Sequence, residues 1–218
     1  MRNIVKVGEP ASLTQHRATP QATYENYREK DALRASLVSE QRGICCYCMQ
    51  SIRPVEGSMK IERWHSQDGS PHEQLVYSNL LGSCMGGDGQ RDSVRHCDTA
   101  KANKNLSRNP ANRAHHVEEV VRCLSDGTIA SSDATFHDEL SDVLNLNAAH
   151  LKNRRVAALH ALQKMMKKRG MLNKQRWEKL YEELTGLSHT NDLQPFCGVI
   201  VYWIRKKLAR FSGRGPWS

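Results

Sequence analysis

Cys45-Cys46-Tyr47-Cys48, Ile61-Glu62-Arg63-Trp64-His65, Tyr77-Ser78-Asn79-Leu80, Cys84, and His96-Cys97-Asp98 with Lys101 follow one another in the stretch 45–104, whose reading decides the fold. Two cysteines three apart, followed after a spacer by two more, supply the four thiolates that one Zn²⁺ takes in a tetrahedron at about 2.3 Å. Cys45 and Cys48 are expected as the first pair, because CxxC spacing turns both sulfurs toward one ion while Cys46 points elsewhere. The competing pair, Cys46 and Cys48, is too close for the usual knuckle. Cys84 and Cys97 complete the set. Glu62, His65 and Asn79 lie between the halves of this clamp and Asp98 directly follows it, the side-chain types of a hydrolytic divalent-metal site. Zinc is therefore expected to be structural, with the chemistry in what it folds.

Working outward, 218 residues suit one domain with an elaborate periphery or two small ones. The chain divides into an N-terminal arm and helix (1–43), the zinc-clamped core (44–110) and a hairpin with a C-terminal helical region (111–218). No run of about 18 apolar residues is present, which excludes a membrane-spanning helix. The opening Met1–Pro10 has neither an apolar core nor a small-residue cleavage site, so no signal peptide is expected and the location is expected to be cytoplasmic. In that compartment seven cysteines read as metal ligands or buried thiols before disulfides, with Cys123 and Cys197 as core residues. A formal charge of +9 suits a polyanionic partner such as nucleic acid.

In chain order, residues 1–20 read as an extended arm and Thr23–Glu40 as an amphipathic helix ending near Gly43. Ser51–Val55 and Lys60–His65 read as two short strands separated by Glu56-Gly57-Ser58. Leu75–Leu81 is apolar around Asn79, which sits at a turn into a helix. Cys97–Asn105 reads as a helix start that places Asp98 and Lys101 on neighbouring faces, one for a metal and one for a phosphate; Lys104 follows. Val117–Leu124 reads as a strand turning at Asp126-Gly127 into a hairpin. From Asp138 the pattern is mostly helical, with Lys152, Arg154, Arg155, Lys164, Lys167, Lys168 and Arg169 opposite an apolar face. Further helices are read at Lys174–Leu184 and from Gln194-Pro195 to Leu208. The class is α+β, mainly helical, with helices flanking the zinc-clamped core.

A carboxylate and a histidine on a strand, an asparagine in the connecting turn and a metal-binding side chain on the next helix stand in the order of the ββα-metal, or HNH, motif. With its Cys-x-Tyr-Cys, Ile-Glu-x-Trp-His, Asn-Leu-Leu-x-x-Cys and His-Cys-Asp-x-x-Lys, the chain resembles the PtuB-like HNH endonucleases of Septu and retron antiphage systems. Asp126-Gly127-Thr128-Ile129, Val143–Asn147 with Leu151 and Arg154, and Pro195-Phe196-Cys197 with Tyr202 extend the resemblance over about Leu33 to Leu208. It implies zinc on Cys45, Cys48, Cys84 and Cys97, and a catalytic Mg²⁺ or Mn²⁺ on Glu62 and Asp98. It further implies a histidine that deprotonates water, with Asn79 holding the loop that orients it, and a nucleic-acid substrate near Lys101 and Lys104. The implied partners are a PtuA-like ABC/SMC-type ATPase and, in retron operons, a reverse transcriptase with its msDNA. One position departs from the pattern. The residue after the acidic Glu62, usually the base, is Arg63, whose guanidinium cannot accept a proton. Either His65 takes that role or the chain keeps the fold as a zinc-stabilised binding module without cleavage.

Overall fold

The computed structural model describes residues 1–170, 173–185 and 192–211. Gly186, the expected stop of one helix, and His189 lie outside that range. The architecture is α+β and mostly helical, with two small antiparallel sheets of two strands each.

The N-terminal arm is not extended throughout. Pro10, which has no N–H to lose, opens α1 (Ala11–Arg17) by accepting from Leu13 N–H at 2.9 Å, and α1 buries Leu13. The next helix, α2 (Lys30–Gln41), begins later than the spacing predicts. Asn26 is the reason: its Oδ1 accepts Thr23 N–H at 2.8 Å and its Nδ2 donates to Gln21 O at 3.0 Å, a local alternative to helix that short amides offer. Tyr27 still packs with Leu13, Leu33, Leu37, Leu75 and Leu80.

Strand β1 (Met59–Arg63) pairs antiparallel with β2 (Leu80–Cys84), running from Met59 opposite Cys84 to Arg63 opposite Leu80. Two expectations change here. Ser51–Val55 is not a strand, since only Ser51 makes an isolated bridge, to Ile44. The run Leu75–Leu81 passes through a short 3-10 turn (Tyr77–Asn79) into a strand instead of a helix. Every residue of β2 is buried, and a short, continuously apolar run has no periodicity that separates strand from helix. The amide of Gln41 clamps β2: its Oε1 accepts Gly82 N–H at 2.6 Å and its Nε2 donates to Gly82 O at 2.7 Å and Ile44 O at 2.9 Å. A Cβ at Gly82 would meet this amide at 3.2 Å and Ile52 at 3.0 Å, so close backbone approach requires glycine there.

After β2 comes α3 (Asp98–Lys101), shorter than expected because Ala102 takes positive φ. The segment read as a strand from Val117 begins as a helical turn, α4 (Val117–Val120), before β3 (Val121–Cys123). The Asp126-Gly127 turn then delivers β4 (Ile129–Ser131), as the sequence predicts. Asp133 caps α5 (Ala134–Asp138) by accepting Phe136 N–H at 2.9 Å. A π turn follows, then α6 (Ala149–Arg169), α7 (Lys174–Thr185) and α8 (Cys197–Phe211). Among the described residues no helix is long and apolar enough to cross a membrane.

The largest apolar cluster takes Ile4 and Val38 from the first expected segment, Tyr47 and Leu81 from the second, and Leu140, Phe196 and Val199 from the third. A smaller cluster, with Leu159, Leu162, Leu180 and Ile204, joins α6, α7 and α8. On α6 the basic face divides: Lys164, Lys167 and Lys168 are exposed, whereas Arg155 is wholly buried. Glu118, on α4, ties the ends of the chain together through Arg2 at 3.2 Å and Arg205 at 3.0 Å.

Burial pushes the Glu118 carboxyl up, but Arg2 and Arg205 outweigh it and hold the group below the ordinary carboxylate range. The folded state therefore releases this proton more readily than the unfolded chain. The resulting stability is present above an unfolded pKa of about 4.3 and is lost as pH falls through the lower folded value. Urea unfolding should find Glu118→Gln destabilised by about 1–3 kcal/mol at pH 7, with the gap from the parent closing below pH of about 4. Gln41→Met should cost about 2–3 kcal/mol in the same assay, since it leaves the Gly82 N–H without its partner.

Candidate metal centre and adjoining cleft

The first half of the cysteine cluster is a tight knuckle. Cys45 N–H donates to Gln50 O at 2.8 Å, Met49 N–H returns to Cys45 O at 3.2 Å, and Cys46 N–H docks the turn on Gly82 O of β2 at 3.0 Å. The second half comes from the end of β2, which carries Cys84, and from Cys97. The Cys97 N–H donates to Leu144 O at 2.9 Å while its carbonyl starts α3 by accepting Lys101 N–H at 2.8 Å. Together these place the ligand atoms of Cys45, Cys48, Cys84 and Cys97 within 4.8 Å of one another, all buried and none in a disulfide.

The sulfur separations are 3.8 Å for Cys45–Cys97 and 3.6 Å for Cys48–Cys84. Zn–S bonds of about 2.3 Å in a tetrahedron require edges of about 3.8 Å. The donor set therefore fits a structural metal such as zinc. Cys46 lies outside it, as CxxC spacing predicts, and so do the buried Cys123 and Cys197. Burial pushes the Cys97 thiol well up, and its three neighbouring sulfurs push it further. At Cys45 burial acts the same way but is outweighed by hydrogen bonds from Cys46, Cys48, Cys84 and Cys97, which hold it well below the usual thiol range. Four thiols crowded so closely do not ionise together unaided; a divalent cation removes the conflict by binding all four as thiolates.

Across β1 and α3 from this cluster opens a cleft of about 790 Å³, bordered by Glu62, Asp98, Arg34, Lys60, Arg63 and Arg95. Glu62 is only 2 % exposed, and its Oε1 accepts from Tyr47 Oη at 2.8 Å and from Lys101 Nζ at 2.9 Å. Burial, then the adjacent Asp98 carboxylate, pushes Glu62 well above the carboxylate range against the pull of Lys101. Asp98 is more open, and Lys60 Nζ lies 3.8 Å from its Oδ2. Arg63 lays its guanidinium over the Tyr24 ring at 4.7 Å and, among the described residues, forms no ion pair. The two carboxylates suit a hard cation. Among the described residues only the cysteines form a cluster of three or more ligating side chains, so such a cation would complete its shell from water or substrate.

Asn79, 3 % exposed, braces the loop after β1. Its Oδ1 accepts His65 N–H at 2.8 Å, and its Nδ2 donates to His65 O and Glu73 O, each at 3.2 Å. The strand expected over Lys60–His65 does not reach His65, because β1 ends at Arg63. The chain bends there. His65 does not border the cleft; it stacks on Trp64 at 4.1 Å between ring centres and sets Nδ1 2.7 Å from Glu73 Oε2. Lys101 also departs from expectation. It has no exposure and spends its donors on Glu62 and on Arg63 O at 3.0 Å, so it cannot meet a phosphate. Lys104 is exposed but lies outside the cleft border.

Sequence reasoning missed Tyr47 and three cations of the cleft, Arg34, Lys60 and Arg95, while singling out Arg63. Lys60, two residues before Glu62 on a strand, was findable by period-two spacing. Arg34 and Arg95 carried no such signal. No family model matches the chain, and comparison with curated proteins gives no match.

Elemental analysis of the purified chain should find one zinc per molecule, and Cys97→Ser should lose it together with several degrees of melting temperature. Lys101→Met should cost about 3–5 kcal/mol in urea unfolding, because it strands a buried carboxylate. Adding Glu62→Gln should recover part of that loss; simple additivity of the two substitutions would refute the pairing.

Proposed function

We propose that this chain is an HNH-type, metal-dependent endonuclease that hydrolyses nucleic-acid phosphodiesters in antiphage defence. In this reading it works under a PtuA-like ATPase and, in a retron setting, with a reverse transcriptase and its msDNA. The observation that carries the chemistry is the Glu62–Asp98 carboxylate pair at a cleft whose lining also holds Arg34, Lys60, Arg63 and Arg95 beside the carboxylates of Glu56 and Asp88. The family and its partners rest on the sequence motifs.

A divalent cation bound by Glu62 and Asp98 would supply charge stabilisation at the scissile phosphate. The protein's own groups have separable roles. Tyr47 and Lys101 fix Glu62 through Oε1, leaving Oε2 for the cation. Arg63, which forms no ion pair among the described residues, would hold a phosphate oxygen. His65, with Nδ1 2.7 Å from Glu73 Oε2, would act through Nε2 as the base once movement of the loop at Trp64–Gly69 brought it to the attacking water. A second reading, nucleic-acid or partner binding without cutting, is favoured by one observation: Arg63 borders the cleft and His65 does not.

Plasmid DNA and RNA incubated in Mg²⁺ or Mn²⁺ with the chain and its variants decide between them. The nuclease reading expects cleavage that Asp98→Ala abolishes and that His65→Ala lowers by about 10²–10⁴-fold. Silence in the parent with cutting by Arg63→His would establish the binding module. Silence in both, with the ATPase partner present, would reject a nuclease.

A further inference from the structure

The start of α6 flanks the cysteine cluster. His150 sets its ring centre 4.9 Å from that of His96. Arg154 donates to Gln50 Oε1, and Gln50 Nε2 in turn donates to Cys48 Sγ at 3.4 Å. Arg155 is the unusual member. It is wholly buried, its Nη1 donates to Gly127 O at 2.5 Å, and its Nη2 donates to Leu146 O. Among the described residues its Nε has no partner and no carboxylate pairs with it. Two residues before Leu146, the Leu144 carbonyl holds the Cys97 N–H. One short segment thus links the guanidinium to a metal-ligating cysteine.

A permanent cation buried without a counter-charge is strongly disfavoured. Burial does push Arg155 down, and what opposes it is the field of Cys123, Cys48 and Cys97. Two of those three belong to the four-cysteine set. A divalent ion bound by four thiolates leaves a net double negative charge, itself buried.

We infer that Arg155 is the counter-charge of the metal-loaded cluster: a positioning residue that stabilises four thiolates around the ion and sets how tightly it is held. This inference rests on the four-cysteine metal reading. Residues surrounding a metal's direct ligands typically change affinity by about 10–100-fold when removed.

The test compares the full chain with Arg155→Lys and Arg155→Gln, measuring Zn²⁺ affinity by competition with a chromophoric chelator. Co²⁺ loading, read by its thiolate charge-transfer band, reports whether all four sulfurs bind. Arg155→Gln keeps amide donors toward the two carbonyls but no charge; Arg155→Lys keeps the charge with poorer hydrogen bonding. Supporting results are Arg155→Lys near the parent and Arg155→Gln weaker by about 10–100-fold. Arg155→Gln holding zinc as tightly as the parent, or Arg155→Lys as weak as Arg155→Gln, would overturn the inference. Should Arg155→Gln fail to fold, Arg155→Lys decides alone: near-parent affinity supports the counter-charge, and a loss of about tenfold or more refutes it. A parent chain that takes up neither Zn²⁺ nor Co²⁺ fails the four-cysteine reading itself, a result distinct from these.

Discussion

Convergence of four sulfurs is the constraint on which the rest of the molecule depends. The cysteines come from a knuckle, the end of β2 and the residue before α3, pieces with little regular structure of their own. A sheet of two five-residue strands is marginal alone, and α3 is a single turn. What gives these pieces fixed relative positions is the buried cluster they share, backed by the Gln41 clamp on Gly82 and by the apolar core beneath. Helices α6 and α8 then close over that assembly.

The cluster and the cleft are mechanically continuous. Tyr47 lies inside the knuckle between two cysteines yet delivers its hydroxyl to Glu62, and Asp98 follows Cys97 directly. Glu62 and Asp98 are therefore both placed by residues adjacent to cysteines of the cluster. A shift in either half of the clamp displaces one carboxylate against the other. Lys101 reinforces the coupling, since one ammonium binds the Glu62 side chain and the Arg63 backbone at once.

How much of this was legible follows from the kind of signal each residue carried. Cysteine spacing is a covalent constraint that survives whatever secondary structure surrounds it, and the four expected ligands are the four that converge. Turn chemistry was equally direct at Asp126-Gly127. Strand pairing was not legible: Ser51–Val55 and Leu80–Cys84 are both short, and choosing between them as the partner of β1 depends on long-range burial. Orientation past a strand end was also hidden. Alternation places His65 with Arg63 only while the strand continues, and the Asn79 brace turns the chain before then. The bracing role itself was readable, because a buried asparagine at a turn has both donors and an acceptor to give to backbone.

Charge shows most clearly where a sequence count and a structure differ. A formal +9 suggests a uniformly basic surface. Lys101 and Arg155 are cations with no surface at all, each placed beside buried acidic chemistry, one against a carboxylate and the other in the field of thiols. The cations of the cleft divide as well: Arg34, Lys60 and Arg95 hold carboxylates at 2.6, 3.2 and 2.8 Å, whereas Arg63 forms no ion pair among the described residues. An anion entering the cleft would compete with a carboxylate at three of these positions and, among the described residues, with none at Arg63. Arg63 is therefore the most available anion-binding group of the cleft.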